Sequence, residues 1–323
     1  MKKSTIVWLI VAASLVLLGA IIFGGVIMAL NFDFSKLNTA KFETNIHTVS
    51  DKFDSIVIDT DTADITFVIS EDEECKVVCT EQQKINHSVE VANGVLTVKR
   101  VDTRKWYEHI QIFSFGKTSV TIYLPQSEYS SLSIGADTGD ISIPSNFKFD
   151  SINITVSTGD VLCSASTAKK TSIKTSTGNV KLENLSAGAI DISVSTGRIT
   201  ASSVECGGDI KLKSSTGGMT LTNITCANLT SVASTGKLTM NNVISSGNFD
   251  IESDTGDVRF ESCDANEITI VTDTGDVKGT LLSEKIFIVD TDTGRKDIPE
   301  TTTGGKCKIT TDTGDIKIII EAD

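Results

Sequence analysis

The sequence predicts an all-β protein: a single-stranded β-helix, or β-solenoid, with coils of about 19–20 residues behind an N-terminal transmembrane helix. Three observations predict it. A Thr-Gly pair recurs in register along the C-terminal half of the chain. The residues around each glycine alternate apolar and polar. The first thirty residues hold one long uncharged apolar run.

The N-terminal run comes first along the chain. Lys2 and Lys3 precede "IVWLIVAASLVLLGAIIFGGVIMAL", which is 25 residues long. A bilayer core of ~30 Å needs about 20 helical residues, so this run is long enough to span. With the lysines before it and Asp33 after it, the positive-inside rule puts the N-terminus in the cytoplasm and the C-terminal domain outside. A cleaved signal peptide would have an apolar region of only about 7–15 residues and a small-x-small cleavage site, and no clean site is visible. Residues 1–32 are therefore expected to be a cytoplasmic tail and an uncleaved, single-pass signal anchor in the cell membrane.

The repeat follows. Thr-Gly recurs at Gly139, Gly159, Gly178, Gly197, Gly217, Gly236, Gly256, Gly275, Gly294 and Gly314, always 19 or 20 residues apart. A fixed period of this length is the signature of a solenoid with one coil per repeat. With glycine as position zero, position −7 holds Leu132, Ile152, Ile190 and Ile210, and −5 holds Ile134, Ile154, Ile173 and Ile192. Position +2 holds Ile141, Val161, Val180 and Ile199, and +4 holds Ile143, Leu182 and Leu221. Steps of two are strand periodicity, apolar inward and polar outward. A further apolar row at +7 holds Leu185, Val204, Ile224, Val243 and Leu282. Each coil is thus two short strands around the Thr-Gly corner plus one more corner. Glycine suits the first corner because it accepts positive φ. The Ser or Asp at −2 is placed to hydrogen-bond the turn backbone. Ten coils at ~4.8 Å make a rod of about 50 Å across residues 131–323.

Residues 43–130 are expected to form an N-terminal β region, part coil and part cap. "IVIDTDTADITF" fits the coil register through Ile56, Ile58, Ala63, Ile65 and Phe67, and "HSVEVANGVLTV" fits it with Gly94 at zero. Trp106, Tyr107, Phe113 and Phe115 are the aromatic cluster outside the apolar run. They read either as a cover for the open end of the solenoid or as a loop that touches a partner.

Seven cysteines call for a disulfide test. Cys163, Cys263 and Cys307 fall on inward rows, where cysteine acts as a small hydrophobe. Cys206 and Cys226 share position +9 in adjacent coils and are the candidate disulfide. Cys75 and Cys79 lie ~13 Å apart if extended, too far to bridge, and no histidine stands close to them in sequence to complete a metal site.

The carboxylates pose a sharper question. Asp254, Asp273, Asp292 and Asp312 fall at −2, and Asp257, Asp276 and Asp315 at +1. Stacked ~5 Å apart they form a ladder of like charge, to be solvated or bound by a counter-ion such as Ca²⁺. Earlier coils carry Ser157, Ser176, Ser195, Ser215 and Ser234 at −2, which fits plain turn chemistry, and the pattern is not the nonapeptide Ca²⁺ repeat.

The formal net charge of −13 argues against a nucleic-acid partner, which needs a basic face. A catalytic β-helix acting on polysaccharide needs converging acids and aromatic sugar platforms. No Trp, Tyr or His occurs after Tyr129, and His47, His87 and His109 have no nucleophile motif beside them. No catalytic residues and no cofactor are expected.

Taken together, a lysine-bearing tail, one apolar helix, "FDSIVIDTDTADITF", "NGVLTVKR", "VTIYLP" and the STGDV and DTGDI coils resemble the bacterial putative-adhesin family of β-strand-repeat proteins of unknown function, common in Gram-positive bacteria. The resemblance covers residues 43–323. It implies a membrane-anchored, non-catalytic envelope protein, and relatives in Lia-type envelope-stress operons imply a link to wall-active antibiotics and antimicrobial peptides. The expected role is a cell-envelope scaffold or binding surface for a protein, peptide or wall polymer. The alternatives are a polysaccharide-acting enzyme and a self-assembling element that pairs through the "IKIIIEAD" segment at 316–323.

Overall fold

The computed structural model describes residues 3–33, 41–106 and 116–321. One α-helix, Lys3–Ala29, is long and apolar enough to cross a membrane. Among the described residues, the remaining named elements are strands.

From Glu128 onward the chain winds as a β-solenoid. Each coil contributes one strand before its glycine and one after it, and each strand pairs in parallel with its counterpart in the next coil. Ile190–Thr196 pairs with Ile210–Thr216, for example, and Ile199–Cys206 with Met219–Cys226. The registers keep like positions opposite one another, such as Ile192 on Leu212 and Ile199 on Met219. Alternation then sends rows −7, −5, +2, +4 and +7 inward. They merge into one continuous core from Ile56 to Ile318. Each fully buried Ile or Leu in it contributes about 1.5–3 kcal/mol.

Two corners make the coil close. At the Thr-Gly corner the glycines of the successive coils from Gly139 to Gly275 have φ between +138° and +158°. A Cβ there would strike the carbonyl of the preceding coil: on Gly197 it would lie 2.0 Å from Gly178 O. Only glycine permits both that backbone and that approach. The second corner, at +6, is left-handed. Asn184, Ser203, Asn223, Asn242 and Ser262 all have φ of 50–54°, a conformation for which Asn is favoured. Gly275's coil lacks such a residue. Its second strand therefore misses the extra step, and Leu281 takes the inward place opposite Cys263. Leu282, expected at the +7 row, is 42% exposed instead.

The stack begins one coil before the glycine series. Ser55–Thr62 and Asp64–Ile69 form a coil whose corner is Ala63, directly against the Gly139 coil. The chain then leaves the solenoid and builds a cap. Ile85–Ala92 and Val95–Asp102 form an antiparallel hairpin. Its turn is Asn93-Gly94, with φ of 52° and 77°, the primed geometry that matches strand twist. Leu96 and Val98 stand opposite Ile56 and Ile58. This corrects the expected register, which put Gly94 at the coil corner: Asn-Gly here turns a hairpin, and Leu96 and Val98 fill rows −7 and −5. Phe42–Val49, Cys75–Gln82 and Ser119–Leu124 make the other half of the cap, antiparallel among themselves.

The far end departs from chain order. Glu267–Thr274 pairs with Gly305–Thr313, which pairs in turn with Lys285–Thr293. The Gly314 coil is thus slotted between the Gly275 and Gly294 coils. Gly304 and Gly305 make the slot passable, since a Cβ on either would meet Glu284 O or Asn266 O within 1.8 Å. Ile316–Ile320 lies between Val277–Leu281 and the two-residue strand Lys296–Asp297. The expected self-pairing edge at 316–323 is therefore partly covered. The open edge belongs to the Gly294 coil, where the two-residue strand and Pro299 limit further pairing.

Candidate binding groove and polar clusters

The left-handed corner at +6 shapes a groove on the solenoid's flank. The groove, of about 490 Å³, crosses five coils, from Ser166 to Ile244. Its lining comes in rows: Asn184, Ser203, Asn223 and Asn242 at +6, then Leu185, Val204 and Ile224, then Ser186, Glu205, Thr225 and Ile244. Coil stacking spaces each row at ~4.8 Å, so the groove runs about 20 Å across the strands. Asn242 Nδ2 donates to Asn223 Oδ1 at 2.9 Å. The lining carries one carboxylate, Glu205, and no cation. Such a surface offers amide and hydroxyl partners at a fixed repeat. It was missed from sequence because +6 carries polar residues that read as ordinary loop; the recurring Asn was the available signal.

The aspartate rows are fixed differently from one another. Carboxylates at +1 accept backbone N–H groups from the next coil. Asp160 N donates to Asp140 Oδ1 at 2.8 Å, Asn179 N to Asp160 Oδ1 at 2.7 Å and Arg198 N to Asn179 Oδ1 at 3.0 Å. The row resumes with Asp276 N on Asp257 Oδ1 at 3.2 Å, Asp315 N on Asp276 Oδ1 at 2.9 Å and Arg295 N on Asp315 Oδ1 at 2.9 Å. Arg259 pairs with Asp257 and Lys278 with Asp276. The Lys278 ammonium first, then the Asp315 amide, holds the Asp276 carboxyl below its usual range. Asp254, Asp273, Asp292 and Asp312 at −2 stand exposed. Among the described residues, side-chain bonds at the glycine corner come from −3 and +1, as where Ser214 Oγ donates to Gly217 O at 3.2 Å.

The cap holds a buried polar cluster that sequence reasoning did not assemble. Among the described residues, Cys79, Glu81 and His87 are the one group of three such donors lying mutually within 4.8 Å. Cys79 and Glu81 alternate on one face of their strand, and the hairpin that follows carries His87 back to them. His87 Nδ1 and its backbone N–H both lie 2.7 Å from Glu81 Oε2. Asn45 Nδ2 donates to Glu81 Oε1 at 2.7 Å, and Thr60 Oγ1 lies 2.9 Å from His87 Nε2. Burial, and secondarily the Glu81 charge, pushes the Cys79 thiol up to about 12. His87, which sequence spacing did not bring to the Cys75–Cys79 pair, reaches Cys79 and not Cys75, because distance along the chain is not distance in space.

All seven cysteines are free and buried. Cys206 Sγ approaches Asp209 O and Cys226 Sγ approaches Ile244 O. Of the aromatic group, Trp106 is exposed, and Tyr107, Phe113 and Phe115 lie outside the described residues.

Residues 53–214 and 205–323 both match the family model described as Toastrack DUF4097. The chain belongs to the Toastrack DUF4097 family. Among solved structures, this Toastrack chain is similar to a putative adhesin from Parabacteroides distasonis ATCC 8503, at 13% identity and a TM-score of 0.50, over 87% of this chain and 98% of that one. It is also similar to putative adhesins from Bacteroides fragilis NCTC 9343, at 16% identity, 86% and 97% coverage and a TM-score of 0.44, and from Parabacteroides merdae ATCC 43184, at 12% identity, 87% and 98% coverage and a TM-score of 0.48. The Parabacteroides distasonis likeness shows that the Toastrack fold is shared. No curated protein gives a significant match.

Proposed function

We propose that this Toastrack protein is a non-catalytic, membrane-anchored binding scaffold of the cell envelope, whose flank groove takes an extended polar chain such as a wall polymer. The observation that carries this reading is the +6 row. Four coils present Asn184, Ser203, Asn223 and Asn242 in one line inside a groove about 20 Å long. Three amides and one hydroxyl set at the coil repeat suit a ligand that is itself extended, and suit a single turnover site poorly. The helix Lys3–Ala29 supports anchoring by length and composition, and the putative-adhesin neighbours fit a binding role. The net charge of −13 favours neutral or cationic partners and disfavours polyanions, with attraction that weakens as salt rises. A link to envelope stress belongs to the same reading.

The test is a pull-down and titration of the full chain in detergent with soluble cell-wall glycan fragments. Asn184→Gly, Asn223→Gly and Asn242→Gly are combined in one variant, because glycine keeps the left-handed corner while removing the amides. Loss of binding with unchanged melting supports the groove. Equal binding by both proteins, or none by the wild type, rejects it.

A further inference from the structure

The cap cluster has a composition that solenoid packing does not require. A thiol, a carboxylate and an imidazole meet within 4.8 Å, each 5% exposed or less. Apolar residues would close this end of the core at lower desolvation cost. Among the described residues, the only ion-pair partner of the buried Glu81 is His87.

We propose that Cys79, Glu81 and His87 form a zinc site that staples the cap to the first coil of the solenoid. The donor set carries the assignment. Sulfur, nitrogen and oxygen together match Zn²⁺ and do not match Ca²⁺ or Mg²⁺, which take oxygen alone. The outer contacts are those a metal site needs. With Nδ1 turned to the ion, His87 keeps Nε2 for Thr60 Oγ1, 2.9 Å away, and that bond sets the ring's tautomer and orientation. Asn45 Nδ2 holds the second oxygen of Glu81 at 2.7 Å. Thr60 belongs to the first coil and Asn45 to the strand Phe42–Val49, so the site gathers three parts of the cap region at one point. Binding opens the His87 Nδ1–Glu81 Oε2 contact, moves the proton of that contact to Nε2, which then donates to Thr60 Oγ1, and releases the Cys79 thiol proton to solvent.

A second observation points the same way. His47 Nε2 is buried and has no hydrogen-bond partner. His47 is two residues from Asn45 in the same strand, on the face that meets Glu81. That nitrogen lies outside the group of donors mutually within 4.8 Å, so His47 becomes the fourth ligand only if its ring turns toward the ion, and water is the other occupant of that position.

The experiment uses the full chain in detergent, stripped with chelator, and Co²⁺ as the spectroscopic probe before Zn²⁺ competition. The expected result is one ion per chain with a thiolate-to-cobalt charge-transfer band, displaced by Zn²⁺. Cys79→Ser removes the band and Cys263→Ser, far along the solenoid, leaves it. Thr60→Val keeps the band and weakens affinity about tenfold or more. Loss of affinity with His47→Gln assigns the fourth position to His47, and no change assigns it to water. X-ray absorption on the zinc-loaded wild type needs no variant to fold. It should show one sulfur at about 2.3 Å with lighter ligands at about 2.0–2.1 Å. A shell of oxygen alone, no charge-transfer band, or a band that survives Cys79→Ser overturns the proposal.

Discussion

Replacing Gly197 by alanine tests the stacking argument at its tightest point. The residue has φ of +144°, and a Cβ would lie 2.0 Å from Gly178 O and 2.6 Å from Gly178 C. To reach even 3 Å the neighbouring backbone must move by about 1 Å, a shift that packed interiors resist. Both strands of the corner resist it, because Gly178 N donates to Thr196 O and Gly197 N to Thr216 O, each at 2.9 Å. The conformation alone costs about 1–3 kcal/mol for a side-chain residue. Weakening two backbone bonds adds about 2 kcal/mol. The expected loss is therefore about 3–5 kcal/mol, a large share of the 5–15 kcal/mol that holds a typical domain. Gly207 in the same coil is the control. Its added Cβ meets only Ala187 O, at 4.0 Å, and its φ lies outside the left-handed region. Gly207→Ala should fall within about 0.5 kcal/mol of wild type or slightly above it. Urea unfolding followed by circular dichroism reads both, with the midpoint compared at equal slope. Equal midpoints for the two variants would refute the claim that the approach at Gly178 dictates glycine.

Other expectations follow from the same packing. Burial raises Cys163 and Cys263 to about 11 and Cys226 and Cys307 to about 12, so a thiol reagent at neutral pH should label none of them in the native chain and all of them in urea. Lys285 is 4% exposed and pairs with Asp264 at 2.7 Å; Asp264→Ala strands that charge and should cost about 3 kcal/mol in unfolding free energy, while an unchanged midpoint would show that water already reaches the lysine. Hydroxyls of Thr280 and Ser262 hold Glu321 below its usual range, and Lys278 does so for Asp276. Both groups are lowered in the folded state, so the stability they add is complete above their unfolded values of about 4 and is lost as pH falls through the folded ones. Melting temperature should therefore drop on acidification below about pH 4, and less steeply in a Glu321→Gln, Asp276→Asn double variant. The +1 carboxylates are already engaged by backbone amides, so about 1 mM Ca²⁺ should not raise the melting temperature; a saturable rise lost in Asp273→Asn with Asp292→Asn would make the exposed row a metal site.

The solenoid was legible because its information is local and repeated. One glycine per coil fixes the corner, and period-two rows fix the inside, so Ile154, Ile173 and Ile192 could be stacked without coordinates. Chain order at the far end was not legible. Inserting Gly305–Thr313 between two earlier coils leaves each coil's own pattern untouched, and only Gly304 and Gly305 mark the passage. In the cap, Asn93-Gly94 was visible, but it fitted two templates, and the repeat's momentum favoured the wrong one. The polar cluster was hidden for a general reason. Cys79, Glu81 and His87 meet through a hairpin closed by the return of the chain, and sequence spacing carries no record of which faces then coincide.

The reversed order of the last two coils acts on folding as a clasp. During synthesis the Gly294 coil emerges before the strand it finally rests on, so its native pairing waits until residues 305–320 arrive. Those residues close both sides at once, against Glu267–Thr274 and against Lys285–Thr293. The end of the rod is therefore completed in a single cooperative event involving two coils, and a chain cut before Gly305 forfeits both. The same arrangement pairs Gly305–Thr313 on both sides, so that strand offers no free edge as a template to a neighbouring molecule.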